Sequence, residues 1–276
     1  MDAQKPQLPD NHRNFIDRFT AACEADGRVL AAFLGGSYAK GRADAFSDLD
    51  LTLITTDTAH AQFVAERETF VRQLGEPLFI EDFDLPNIVF ITFSDGIEAE
   101  LWFASQSHLE HLRSGPLHVL LDKTGILVGA DFPPSEPDRV GQSEKMRRLI
   151  YWFWHDLSHF ITAMGRGQLW WALGQLEILR GICVNLGRLR RNFSDEGVGE
   201  EPYFKLEDAV PRGDLSALQA TFCPMERESM LRSAHLILQF YKELALSLAR
   251  EHGVPYPAAL ERVMTQRLRK LTAAQL

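Results

Sequence analysis

The feature that most constrains this chain is a glycine turn between two short apolar segments. Val29 to Leu34 is an apolar run that ends in Gly35-Gly36-Ser37, and a later segment, Asp48 to Thr55, alternates leucines with polar residues. A short apolar run before a turn is typical of a buried strand, and alternation is typical of a strand with one core face. The sequence therefore predicts two strands, with Asp48 and Asp50 on one face of the second.

Each part of this unit has a chemical use. Glycines let the backbone approach a ligand closely, and amides at the start of a following helix, together with the Ser37 hydroxyl, can bind triphosphate oxygens. Lys40 and Arg42 follow the turn, where they either contact the triphosphate or are solvated residues of a helix surface. The carboxylates of Asp48 and Asp50 offer the hard oxygens that magnesium prefers. We therefore expect Gly36 and Ser37 to hold phosphate beside a magnesium site.

A third carboxylate is predicted on a hairpin. Asn87 to Phe93 and Ile97 to Phe103 read as two antiparallel strands joined by the turn Ser94-Asp95-Gly96. Glu98 and Glu100 share one face of the second strand, because side chains alternate along a strand. Sites with two magnesium ions polarise the transferred phosphate and lower the pKa of the attacking hydroxyl, and they usually need a third carboxylate. From the residues alone, either glutamate fits this role.

The remaining pattern divides the chain into two domains. Residues 1–135 contain the predicted strands, helices around 14–25 and 59–74, and a predicted loop from Gly75 to Pro86, whereas the second half contains long apolar segments at helical spacing. These segments are Lys145 to Met164, Leu169 to Leu189, Glu226 to His252, and a final helix after Pro257. The boundary is placed in Asp131 to Pro137, where three prolines disfavour helix and sheet interior. We predict an α+β fold: a mixed sheet flanked by helices in 1–135, followed by an all-α bundle in 136–276.

Composition and charge exclude some classes of binding partner. Acidic residues outnumber basic ones by 38 to 29 in 276 residues, giving a net charge of -9, whereas proteins that bind phosphate backbones are usually basic. The three cysteines are far apart in the sequence and lack metal-ligand spacing. The first residues show no signal peptide, and no apolar stretch is long enough to cross a bilayer. We therefore expect a cytoplasmic protein that binds neither nucleic acid nor membrane.

The run from Gly36-Ser37 to Asp48-Leu49-Asp50 resembles the signature of the nucleotidyltransferase superfamily, which includes polymerase-beta-like enzymes. Within it, Gly36 to Gly41 with Asp44 to Asp48 is similar to lincosamide nucleotidyltransferases. The Asp95-Gly96 turn that leads to Glu100 is similar to streptomycin adenylyltransferases. Residues 165–172 and the helix through Arg180 loosely resemble the helical domain of these antibiotic-modifying enzymes. The close match is confined to residues 35–51, so the resemblance supports the reaction class better than the substrate.

The resemblance implies a catalytic domain at 1–135 and an acceptor-binding helical domain at 136–276, with the acceptor between them. It implies transfer of a nucleoside monophosphate, with ATP as the donor and Mg²⁺ as the cofactor, to a hydroxyl of an aminoglycoside or lincosamide antibiotic. Asp48, Asp50 and Glu100 would be the catalytic and metal-binding residues, with Glu98 as the alternative to Glu100. Gly36, Ser37, Lys40 and Arg42 would bind the nucleotide. The resemblance also favours a homodimer. The rival hypotheses are transfer to a protein hydroxyl and a nucleotide-binding module without turnover.

Two groups in the second half have chemically active side chains. Trp170, Trp171 and Glu177 lie on a predicted helix, where they either contact the acceptor or belong to a core or interface. His155 and His159 are four residues apart on another predicted helix, a spacing that suits a metal, but no third ligand is evident. We therefore expect these two histidines to be structural.

Overall fold

The structure is a computed structural model that describes residues 9–111, 115–130, 138–193, 195, 197–199 and 201–273. The chain divides into two compact units, Met1–Ser135 and Glu136–Leu276. The proline-rich segment Asp131 to Pro137, which the sequence places between the domains, lies outside the described residues, as do the first residues of the chain. Each unit is described by itself.

The first unit is built on one mixed sheet. Its described residues form six strands, which are β1 (Val29–Leu34), β2 (Leu49–Thr55), β3 (Pro77–Glu81), β4 (Ile88–Phe93), β5 (Glu98–Ser105) and β6 (His118–Asp122). Their order across the sheet is β3-β4-β5-β2-β1-β6. The pair β2 and β5 is parallel, and the other four pairs are antiparallel. The two strands expected to carry the carboxylates are therefore neighbours.

Helices accompany this sheet. They are α1 (Asp10–Ala25), α2 (Gly36–Ala39), α3 (Asp57–Ala65), α4 (Arg67–Leu74) and a 3-10 helix (Gln106–His111). Phe15 and Phe19 of α1 are fully buried in one hydrophobic cluster with Leu49, Leu51 and Leu53 of β2. Burial of these side chains removes a large apolar area from water, which is the main force holding the helix to the sheet. The predicted mixed sheet with flanking helices is confirmed.

The sequence pattern missed two edge strands. The segment from Gly75 to Pro86, predicted as a loop, contains β3, and β6 pairs with the other side of β1. Leu78 and Phe79 in β3 are 71% and 44% exposed, so this strand lacks the alternation by which a half-buried strand is recognised. The predicted helix at 59–74 is also two helices, separated at Glu66.

In the described residues of the second unit, all regular secondary structure is helical. Its helices are α5 (Arg139–Gly165), α6 (Leu169–Arg191), α7 (Leu206–Ala209), α8 (Arg212–Gln219), α9 (Arg227–Glu251) and α10 (Ala258–Ala273). The rings of Phe153 on α5 and Tyr241 on α9 stack with centroids 3.6 Å apart, and the Tyr241 hydroxyl donates to the Ile150 carbonyl oxygen at 2.8 Å. The predicted all-helical second half is confirmed. Among the helices that the structure describes, none is long and apolar enough to cross a membrane.

Candidate active site

The glycine turn after β1 lies directly against a carboxylate of β2. The Gly35 amide donates to the Asp50 carbonyl oxygen at 2.8 Å, which ties the turn to the strand. Gly36 has a φ of +53°, and a Cβ built there would lie 1.6 Å from Asp50 Oδ2. A side chain at this position would thus overlap the Asp50 carboxylate. The sequence predicted that the glycine backbone approaches a ligand at this turn, which stays a prediction; in the structure, the group that lies against Gly36 is the side chain of Asp50.

The pairing of β2 with β5 sets Asp50 beside Glu100. These two residues are direct partners in the parallel register. Neighbouring strands lie about 4.8 Å apart, and paired residues project to the same side of the sheet. Both side chains are partly exposed. Two carboxylates so arranged offer oxygens to one divalent cation.

Glu98 has a different environment from Glu100. It pairs with Thr92 of β4, whereas the ladder between β2 and β5 begins one residue later, at Leu49 and Ala99. Its side chain is exposed. The structure therefore separates two glutamates that alternation alone could not distinguish, and Glu100 is the one adjacent to Asp50.

Asp48 lies just before the strand, since β2 begins at Leu49 rather than at Asp48 as the sequence predicted. An Asx-type turn in the preceding loop leads up to it. The Phe46 amide donates to Asp44 Oδ1 at 2.9 Å, and the Asp44 amide donates to Ser47 Oγ at 2.9 Å. Aspartate and serine favour such local bonds to the backbone. Sequence reasoning assigned no role to Asp44 and Ser47, although an Asp three residues before a Ser is the signal for this turn.

The residues predicted to bind nucleotide surround the same turn. Ser37 Oγ is buried and has no hydrogen-bond partner within the described part of the chain. A buried hydroxyl without a partner is costly, so a phosphate oxygen as acceptor would suit it. Lys40 and Arg42 are exposed, and neither forms an ion pair with a described residue. These features fit an anionic ligand at the turn.

Tyr38 ties this turn to α1. Its hydroxyl is hydrogen-bonded to His12 Nδ1, and burial, with a smaller effect from the nearby Asp44 carboxylate, raises the pKa of Tyr38 to about 12. Tyr38 therefore remains a neutral phenol at physiological pH. It positions the turn and does not act as a base. This contact was not predictable from the sequence pattern, because His12 lies 26 residues from Tyr38.

In the second unit, the structure separates the residues considered for acceptor binding. Trp170 and Trp171, 78% and 37% exposed, line one open cavity of about 710 Å³ with Met225. Glu177 lines another cavity of about 710 Å³ with Glu201, Tyr203 and Phe204. Glu177 forms an ion pair with Arg180 and accepts from the Tyr203 hydroxyl at 2.5 Å. The tryptophans and Glu177 thus belong to different cavities.

Comparison with solved structures finds distant matches to the chain. One similar solved structure is an aminoglycoside 6-adenyltransferase from Bacillus subtilis, with 15% identity, a TM-score of 0.43, and coverage of 94% of this chain and 97% of that chain. Another is a nucleotidyltransferase-like protein from Exiguobacterium sibiricum 255-15, with 12% identity, a TM-score of 0.40, and coverage of 88% and 77%. No curated protein shows significant similarity to the chain.

The sequence model of the family described as streptomycin adenylyltransferase matches residues 11–271, which is nearly the whole chain. This match confirms the resemblance drawn from the Gly36-Ser37 turn, the Asp48-x-Asp50 strand and the hairpin bearing Glu100. It also spans both units, whereas the close motif covers only residues 35–51. The chain belongs to the streptomycin adenylyltransferase family and is therefore a nucleotidyltransferase.

Proposed function

We propose that this protein is a magnesium-dependent adenylyltransferase that moves AMP from ATP to a hydroxyl of an aminoglycoside-type antibiotic, releasing pyrophosphate. The observation that carries the proposal is the pairing of Asp50 with Glu100 on adjacent parallel strands, with Gly36 against the Asp50 carboxylate. Family membership supports the reaction class and the antibiotic acceptor. No residue of the turn indicates which nucleotide base is recognised, so the choice of ATP as the donor depends on family membership alone.

The carboxylates fit a magnesium site. Asp50 and Glu100 are register partners, Asp48 lies two residues from Asp50, and the missing side chain of Gly36 leaves room for the Asp50 carboxylate. Oxygen ligands from aspartate and glutamate are those that Mg²⁺ prefers. Magnesium held by Asp48, Asp50 and Glu100 would neutralise phosphate charge and favour loss of the proton from the acceptor hydroxyl. A site of this kind takes two ions.

The chain's own residues would perform the remaining steps. Ser37 Oγ donates a hydrogen bond to a phosphate oxygen, and Lys40 and Arg42 supply positive charge to the triphosphate. The acceptor hydroxyl oxygen forms a bond to the α-phosphorus while the bond from that phosphorus to the bridging oxygen breaks. The hydroxyl proton passes to a Glu100 carboxylate oxygen, and pyrophosphate leaves.

The acceptor class is supported by one cavity of the second unit, which has carboxylates in its lining. Glu177 and Glu201 line one cavity together with Tyr203 and Phe204. Glu177 is already paired with Arg180, so the exposed Glu201 carboxylate, beside the aromatic residues, is the one suited to a cationic, polyhydroxylated ligand such as an amino sugar. The net charge of -9 also favours approach of a cationic substrate. We therefore favour an aminoglycoside over a lincosamide, and place its amino groups near Glu201.

The test is magnesium-dependent pyrophosphate release from ATP with a panel of aminoglycosides, lincosamides and simple sugars. The Asp48→Asn/Asp50→Asn double variant is the blank. Pyrophosphate release with aminoglycosides and with no other member of the panel supports the proposal. Release only with a lincosamide would show that the acceptor is a lincosamide instead. ATP binding without release across the panel contradicts small-molecule transfer and favours a protein hydroxyl, which a mass increase on an intact protein would reveal, or a module without turnover.

A further inference from the structure

Three potential metal ligands come together on one turn of α5. One nitrogen of His155, one nitrogen of His159 and one carboxylate oxygen of Asp156 all lie within 4.8 Å of one another. The two imidazole rings are 4.3 Å apart between centroids. Residues four and three apart on a helix are neighbours, which brings His159 close to both His155 and Asp156. The sequence indicated the histidine pair, and Asp156 is the third ligand that the spacing argument did not find.

Asp156 is the unusual member of this group. Only 9% of its surface is exposed, and among the described residues none donates a hydrogen bond to its carboxylate or forms an ion pair with it. A buried carboxylate without donors is costly, so such groups are usually paired or bound to a metal. The carboxylate oxygen lies in the same cluster as the two imidazole nitrogens. Its burial thus points to a cation between the three side chains.

We infer that His155, Asp156 and His159 bind a divalent transition metal ion of the zinc class. Two imidazole nitrogens and one carboxylate oxygen are ligands that Zn²⁺ accepts, and three protein ligands leave a fourth position for water or another ligand. Imidazole ligands favour zinc, copper, iron or nickel over magnesium, which prefers oxygen. This site lies within the second unit and does not depend on the proposed reaction.

Neighbouring tryptophans make binding observable. The Trp152 ring lies edge-on to His155 with centroids 4.9 Å apart, and the Trp171 ring of α6 lies 5.8 Å from that of His159. A paramagnetic ion bound between the histidines would therefore quench tryptophan fluorescence. Cobalt serves this purpose, because it adopts the coordination of zinc and absorbs visible light when bound to nitrogen ligands.

The experiment is equilibrium dialysis of the full chain, without an affinity tag, against Zn²⁺ in excess Mg²⁺, which occupies the oxygen-ligand site. The variants are His155→Ala/His159→Ala and Asp156→Asn. The matched controls are His118→Ala, an exposed histidine on β6, and Asp48→Asn/Asp50→Asn. Circular dichroism checks that each variant is folded. A Co²⁺ titration, followed by absorption and fluorescence quenching, is the second readout.

We expect the wild type and both controls to bind one zinc equivalent that the double histidine variant lacks. Asp156→Asn should bind it at least about tenfold more weakly, as expected when a group that supports a metal is lost. The Co²⁺ absorption and quenching should disappear in the double variant. Equal zinc binding by the double variant and the wild type would overturn the inference, as would the absence of zinc binding by the wild type. Loss of the zinc equivalent in Asp48→Asn/Asp50→Asn would also overturn it.

Discussion

Asp50 of β2 and Glu100 of β5 are register partners in a parallel strand pair, although 50 residues separate them in the sequence. A shift of one residue in this pairing would move every side chain of one strand to the opposite face. The buried leucines of β2 and Leu101 of β5 oppose such a shift, since both strands pack into one core. The hydrophobic pattern of these strands therefore also fixes the relative position of the two carboxylates.

This register predicts that substitutions of the two glutamates of β5 affect activity differently. Glu100→Gln should lower kcat by roughly 10²-fold or more, which is the usual effect of losing a general base. Glu98→Gln is the matched control on the same strand face and should keep kcat near the wild-type value. Steady-state pyrophosphate release measures both. The reverse order of effects would assign the third carboxylate to Glu98.

The contact between Gly36 and Asp50 predicts that adding one methyl group at position 36 strongly lowers activity. Gly36→Ala should lower activity by about 10²-fold, because a Cβ placed 1.6 Å from Asp50 Oδ2 must displace that carboxylate. Gly35→Ala tests the adjacent position, where the nearest heavy atom to a Cβ lies at an ordinary 3.7 Å. Gly41→Ala tests positive φ alone, since Gly41 has a φ of +64° and no atom within 4 Å of its Cβ.

Activity and thermal unfolding are measured for all three glycine variants. Gly35→Ala and Gly41→Ala should retain most of the activity, although Gly41→Ala should lose about 1 kcal/mol of stability. An active Gly36→Ala variant would show that the position of the Asp50 carboxylate does not limit turnover.

The cavity lined by Glu177 and Glu201 predicts that substitution of Glu201 weakens binding of the acceptor substrate. Glu201→Gln should raise KM for a cationic aminoglycoside about tenfold and leave kcat unchanged, because it removes an attraction present in both ground and transition states. Glu207→Gln, on α7 and exposed, is the control. Initial rates over a range of acceptor concentrations separate the two constants. A KM equal to that of the wild type would exclude Glu201 from acceptor binding.

The raised pKa values of four of the five tyrosines predict that the protein loses stability at alkaline pH. Burial raises the pKa of Tyr38 to about 12 and raises the pKa values of Tyr203, Tyr241 and Tyr256 above their usual range. The unfolded chain releases these protons near pH 10, whereas the folded chain retains them, so the free energy of unfolding falls as pH rises above about 10. Urea titrations between about pH 9 and 11 measure this slope, with phenolate absorbance as the second probe. Tyrosine ionisation that is complete near pH 10 in the folded protein would contradict the expectation.

The sequence predicted the central strands better than the edges of the sheet. β1, β2, β4 and β5 have buried residues in clear patterns, whereas β3 and β6 are edge strands whose side chains are largely exposed or half-exposed. Hydrophobic periodicity reports burial, and so it is weak where neither face of a strand is buried. The long helices α5, α6 and α9 were predictable because their apolar faces are long and continuous.

Local sequence motifs likewise predicted only part of the site. Gly36, Ser37, Asp48 and Asp50 lie within one short stretch, which is why the sequence alone brought them together. The choice of Glu100 over Glu98 depended on a resemblance, because strand alternation is the same for both. The contact between His12 and Tyr38 and the burial of Asp156 depend on packing between distant segments, for which a single sequence carries no signal.

The proposed reaction requires Asp50 and Glu100 for transfer of AMP to an aminoglycoside hydroxyl. The most direct measurement incubates the protein with ATP labelled at the α-phosphate, Mg²⁺ and an aminoglycoside, and compares the wild type with Asp50→Asn. We predict that the wild type transfers the α-phosphate label to the aminoglycoside, that chelation of Mg²⁺ stops the transfer, and that Asp50→Asn shows almost none. Transfer by Asp50→Asn at the wild-type rate would exclude the Asp50 carboxylate from the reaction.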